Sequence, residues 1–221
     1  MTPQPSAKEA ILTRIRSALV DVPADVPPQV DAPVTWQYRQ PTPMDDVLAT
    51  FVERVEDYKA TVVRCTLDRV SDAITEALRA TGARSVALPP GLDDSWRQGA
   101  VRARVPVRID DPPLAREALN DTHAVVTAAA VGAAESGTIM LDHGPDQGRR
   151  ALTLLPDIHV CVVLADQVVS DIPEATGRIA DAIRAGRPCT WISGGSATSD
   201  IELSRVEGVH GPRTLYVILA E

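Results

Sequence analysis

The chain has 221 residues, 44% of them hydrophobic, which is enough to bury a full core in one main domain. Aromatic residues are only 3% and the formal net charge is −8, so stacking platforms and a basic face are both scarce and nucleic acid is not expected as a partner. The core must therefore come from Val, Ile, Leu and Ala, the usage of a parallel sheet covered by helices.

Three cysteines, Cys65, Cys161 and Cys189, are widely spaced and form no Cys-x-x-Cys pair. That pattern suggests neither a structural zinc nor an iron–sulfur cluster held by this chain, so no metal and no cofactor are expected. The odd count fits a reducing compartment. The first residues show no apolar signal core, and no stretch approaches the roughly 20 apolar residues of a membrane span, so a cytoplasmic protein is expected.

In chain order, Ser6-Ala7-Lys8-Glu9 has the form of a capping box and opens a helix ending near Val20. Six prolines then fall within residues 21–43, which excludes helix or inner strand. Residues 1–43 thus read as a helix plus a Pro-rich arm. The arm is expected to pack on its own domain or to embrace a partner, including a second copy of the chain. Residues 44–221 read as one α/β domain. An amphipathic helix is expected over Met44–Tyr58, with Asp45 and Asp46 suiting its N-terminal dipole. A strand at 60–65, a helix at 68–81 closed by Gly82, and a strand at 85–88 follow. Further on come a weak helix at 95–104, a short strand at 105–109 and a short helix at 114–120. This alternation predicts a mostly parallel sheet with helices on both faces, a three-layer α/β/α sandwich.

Ala124–Ala128 and Ile139–Leu141 are too close in sequence for a crossover helix and predict a bend or hairpin. Residues 142–150 read as a flexible loop. Ile158–Ala165 reads as a central strand, Pro173–Ala185 as a helix, and 190–193 and 215–219 as the last two strands.

Ligands in open α/β sheets bind beyond the carboxyl ends of strands, which singles out two small-residue loops, 132–138 and 193–199. Their backbone amides can approach an anion closely. Ser199–Glu202 has the form of another capping box, which explains Ser199 and Glu202 without a ligand. Gly194, Gly195, Ser196, Thr198 and Asp200 are the residues this leaves over. Glu135, flanked by small residues, is either a solvated loop acid or a catalytic carboxylate, with Ser136, Gly137 and Thr138 beside it. His210, Gly211 and Arg213 form a turn suited to binding a carboxylate; a surface turn with Arg213 paired to a local acid such as Glu207 fits equally. His159 reads as a hydrogen-bonded core histidine. There is no Walker loop, no Gly-x-Gly-x-x-Gly and no Gly-x-Ser-x-Gly elbow.

Four segments resemble a known family. Ala134-Glu135-Ser136-Gly137-Thr138, Leu154-Leu155-Pro156-Asp157-Ile158-His159-Val160, Gly194 to Glu202, and Gly208-Val209-His210-Gly211-Pro212-Arg213 are similar, in order, to motifs of the LUD domain, the lactate utilization protein C family. The resemblance covers roughly residues 44–221. It implies a fold like that of sugar-phosphate isomerases and CoA transferases. It also implies a part in oxidising L-lactate to pyruvate beside partner proteins that carry iron–sulfur clusters. The ligand expected is a small anion, a carboxylate or phosphate. By analogy with CoA transferases Glu135 would be a nucleophile, and the alternatives are a CoA-ester or sugar-phosphate enzyme using Glu135 or a non-catalytic ligand-binding protein. The chain departs from the family at Gly195 and Ala197, where Pro and Arg are usual. Arg213, or Arg149 and Arg150, would then have to supply the cation.

Overall fold

The computed structural model describes residues 6–21, 41–198, 206–207 and 210–221. Residues 22–40 of the Pro-rich arm and the Ser199–Glu202 capping box lie outside the described residues. The chain divides into two units, residues 1–38 and 39–221. The first contains helix α1 (Ala7–Ala18). Its capping box is formed: Glu9 N donates to Ser6 Oγ at 3.3 Å, and Ser6 N donates to Glu9 Oε2 at 2.7 Å.

In the larger unit the helices are α2 (Val47–Asp57), α3 (Val70–Ala80), α4 (Asp94–Arg102), α5 (Arg116–Asn120), α6 (Ile172–Arg178) and α7 (Ala180–Arg184). Local chemistry starts them: Asp46 accepts from Ala49 N at 2.9 Å, and Asp93 accepts from Ser95 N at 2.8 Å. Asp171 does the same for α6, accepting from Glu174 N at 2.9 Å. It also accepts from the Thr42 amide and hydroxyl, so one buried carboxylate ties residue 42 to a helix more than a hundred residues later. Burial raises its pKa, but these donors outweigh burial and hold it below the usual value.

The principal sheet has six strands: β1 (Thr61–Cys65), β2 (Val86–Leu88), β3 (Val107–Ile109), β4 (Ala124–Ala128), β7 (Ile158–Leu164) and β12 (Thr214–Ala220). Their spatial order is β1-β12-β7-β4-β2-β3, and every pairing is parallel. The expected α/β class and parallel sheet are therefore present. Strand faces alternate as the pleat requires. Val160, Val162, Ile218 and Ala220 face one core with Ile74, Leu78 and Ala100 of α3 and α4. Cys161, Val163, Val217 and Leu219 face another with Phe51 and Val55 of α2.

A second sheet joins that latter core. It contains β5 (Val131–Ala133), β6 (Thr138–Leu141), β8 (Val168–Val169) and β9 (Thr190–Ile192), in the order β8-β5-β6-β9. The hairpin expected after β4 is the β5–β6 pair, but the sequence reading did not foresee that it seeds a separate mixed sheet. Ile139 and Leu141 turn toward the principal sheet, while Met140, Val131 and Ala133 pack beneath Ala175 and Ile179. One face of the principal sheet is thus covered by α3 and α4, and the other by α2 together with this sheet.

Two expectations need correction. The single helix expected over 173–185 is two, because the backbone at Ile179 leaves helical geometry (φ −96°, ψ 7°) two residues after Gly177, a weak helix former. The loop 142–150 is not loose. Gln147 Oε1 accepts from Asp142 N and His143 N, and the His143 ring bridges Gly148 O and Thr190 Oγ1 at 2.7 and 2.8 Å. Residues 197–198 and 206–207 pair antiparallel as β10 (Ala197–Thr198) and β11 (Val206–Glu207).

Candidate functional site

A cavity of about 250 Å³ opens where the two sheets meet. Its walls come from the 3-10 turn Arg150–Thr153, from the start of β7 at His159, from β9 and the glycines after it, and from the turn before β12. Because His159 and Leu215 are the second residues of their strands, the cavity lies at the amino ends of β7 and β12. Among the strands of the principal sheet the carboxyl-end rule therefore does not hold, although the loop 193–199 it singled out follows the carboxyl end of β9 and lines the cavity. What locates it is the second sheet, whose edge strand β9 roofs that end.

At Gly194 and Gly195 the chain passes close against its neighbours. Gly194 has φ +84°, and a Cβ there would sit 2.5 Å from Tyr58 Cβ. A Cβ on Gly195 would collide with the carbonyl oxygen of Arg213. Glycine is required for this backbone path, and proline, usual in the family at this point, has a Cβ that would meet the same oxygen. Ser196 N donates to Pro212 O at 2.8 Å, and Ser196 Oγ accepts from His210 N at 3.2 Å. The two small-residue turns are thereby sewn into one wall.

Arg150 supplies the cavity's guanidinium. It donates to Thr153 Oγ1 at 3.3 Å and reaches His210 O at 3.5 Å, and among the described residues no carboxylate pairs with it. Burial alone pulls its pKa down, the mark of a cation short of counter-charge. Its neighbour Arg149 has the opposite fate. It grips the buried Asp110 through two bonds of 2.8 and 2.9 Å, and Leu114 N donates to the same carboxylate. Burial raises the Asp110 pKa, but Arg149 and Leu114 outweigh it and hold the group ionised. Arg213 is also committed, to Asp157 at 3.3 Å, and is not part of the cavity lining.

His159 is 1% exposed and lines the cavity from below. Its Nε2 lies 2.8 Å from Thr127 Oγ1. Burial first, then the charge of Arg150, lowers its pKa to about 4, so the imidazole is neutral near pH 7. Beside it the Cys161 thiol is pushed up to about 12 by burial.

Of the residues singled out from the sequence, Gly194, Gly195, Ser196, His210 and Gly211 line this cavity. Thr138 joins it indirectly: its hydroxyl bonds Ser136 Oγ at 2.8 Å and Ser193 Oγ, a cavity atom, at 2.9 Å. Gly137 (φ +58°) lets the hairpin turn pass against the Arg54 backbone. Glu135 is exposed on that turn, its amide donating to Ser170 O at 2.9 Å, and is not part of the cavity lining. Thr198 lies in β10, and Asp200 falls outside the described residues. Sequence reasoning missed Thr153 and Thr190 and took His159 for core alone, whereas Ser193 falls in the 193–199 loop it singled out. Only the pairing of β6 with β9 brings these together, and no local motif announces that pairing.

Among the described residues no group of three or more His, Cys, Asp or Glu side chains is placed to hold a metal ion, and no helix is long and apolar enough to cross a membrane.

The LUD domain model matches residues 48–220. The chain is 44% identical over 225 aligned residues to lactate utilization protein C of Deinococcus radiodurans, covering 99% of each chain. It is 25% identical to lactate utilization protein C of Geobacillus thermodenitrificans, over 88% of this chain and 87% of that one. Its structure is similar to a crystal structure of a DUF162 family protein from D. radiodurans, with a TM-score of 0.68 and 41% identity over 79% of this chain and 96% of the other.

Proposed function

The chain belongs to the LUD domain family, and from that premise we propose that it serves lactate utilization by holding a small carboxylate in the cavity at Arg150. The observation that carries the reading is the division of labour between adjacent arginines. Arg149 is consumed by Asp110, whereas Arg150 faces a cavity walled by hydroxyls and glycine backbone. A desolvated guanidinium with open donors suits a carboxylate through paired hydrogen bonds. The site lies within residues 44–221, the segment assigned to the α/β domain.

Oxidising lactate to pyruvate releases two electrons and two protons. In this proposal the electrons pass to partner proteins carrying iron–sulfur clusters, and this chain binds and presents the acid. Glu135 has no part in that step; a Glu135→Gln protein should bind the acid as the parent does.

The test is genetic and direct. Deleting the gene should abolish growth on L-lactate while leaving growth on pyruvate intact, and an Arg150→Met copy should fail to restore it. Normal growth of the deletion strain on lactate would reject the proposal.

A further inference from the structure

The walls of the cavity are unequal. No aspartate or glutamate is among the described residues that line it, and its polar side comes from Arg150, Thr153, Ser193 and Ser196. The lining also has an apolar part, Ile192, Pro212 and Leu215. Leu215 is 4% exposed and belongs to the core beneath α2, and Ile192 packs against the same core, so here the cavity closes on apolar packing and not on solvent. Leu215 is also the cross-strand partner of His159, a ring that feels the charge of Arg150. Adjacent strands lie about 4.8 Å apart, so the apolar floor begins one strand spacing from that ring. At about 30 Å³ per water, a cavity of about 250 Å³ holds roughly eight waters, and a three-carbon acid displaces only about half of them.

We propose that the site takes monocarboxylates longer than lactate, up to about six carbons, and that Ile192 sets that limit: the carboxylate lies on Arg150 and the alkyl chain on Leu215 and Ile192. Burying the chain there removes apolar surface from water, which raises affinity about fourfold for each added CH2 until the cavity is full. Beyond that length further carbons meet packed side chains, and packed interiors yield little to added volume. Leu215 is held in the floor, on a strand paired on both sides. Ile192 lies in the roof, half-buried on the edge strand β9, so its size sets the room left for the chain. The inference rests on the carboxylate reading of the cavity and adds the class of acid that it accepts.

Calorimetric titration of the full chain with propionate, butyrate, pentanoate, hexanoate and octanoate separates the two. Affinity should rise about fourfold per carbon to hexanoate and rise no further at octanoate. Ile192→Phe narrows the apolar part. It should leave propionate within about twofold of the parent, which also shows that the variant is folded, and weaken hexanoate at least about tenfold. Ile192→Ala opens the same part and should carry the rise on to octanoate. A series that is flat or falling from propionate to hexanoate, or a limit that neither substitution moves, would overturn the chain-length reading. The carboxylate site would still stand if Arg150→Met abolished propionate binding. Binding of none of the acids, or binding that survives Arg150→Met, would overturn both.

Discussion

In the six-stranded sheet β7 and β12 run seven residues each, lie at the centre and carry mainly apolar side chains. The four-stranded sheet is assembled from strands of two to four residues, and its cavity-side edge is held by hydroxyl-to-hydroxyl bonds at Thr138 and Ser193. The first derives its stability from area removed from water, a non-directional effect that tolerates exchange of one aliphatic residue for another. The second depends on particular atoms meeting at particular distances. The cavity lies on the boundary, with a floor from the long strands and a roof from the short ones. Fold and chemistry are thus carried by different residues, and substitutions should separate them.

The largest expected effect is at Phe51, fully buried in the core shared by both sheets. Phe51→Ala should cost about 3–5 kcal/mol in chemical denaturation. A loss under 1 kcal/mol would mean that the two sheets do not share that core. Next is acid. The folded pKa of His159, about 4, lies below the ordinary 6.5, so the unfolded chain binds this proton more readily. Its contribution is fully present above pH 6.5 and is lost as pH falls toward 4, amounting to about 3 kcal/mol over the window. Denaturation between pH 7 and 5 should show the early part of that loss, and His159→Gln should flatten it; an unmodified protein with no slope there would contradict the burial of a neutral ring. The smallest effect is at the edge. Thr138→Val should cost only about 2 kcal/mol, for two partly buried hydrogen bonds, yet weaken ligand binding by freeing Ser193. Unchanged binding would show that the hairpin does not brace the cavity.

The long strands and capped helices were legible in sequence because their signals are local. Apolar runs such as Val160–Leu164 state their own burial, and Ser6 and Glu9 have the spacing of the capping box they form. Of the second sheet the hairpin and the strand at 190–192 were legible, but not that they pair. β8 is two residues long, and β9 carries a half-exposed Trp191 that no alternation rule assigns to a face. The same limit applied to the site. Glycine- and serine-rich turns pointed to one wall of the cavity, but Arg150 and Arg149 look alike in sequence. Only Asp110, some forty residues earlier, distinguishes them. His159 was read as a core residue because it sits in an apolar run. It is buried as that reading expected, and also borders the cavity, which depends on the roof above it.

The position of β12 has a consequence for how the molecule is made. This strand inserts between β1 and β7, parallel to both, although β1 precedes it by some 150 residues. While the chain is being synthesised, at roughly 5–20 residues per second, β1 and β7 each present an open edge for several seconds or more. Such edges pair readily with other chains. The turn that leads into β12 also forms the far wall of the cavity. Ligand binding therefore reports that the last long-range strand has docked, and a nascent chain lacking it should both aggregate and fail to bind.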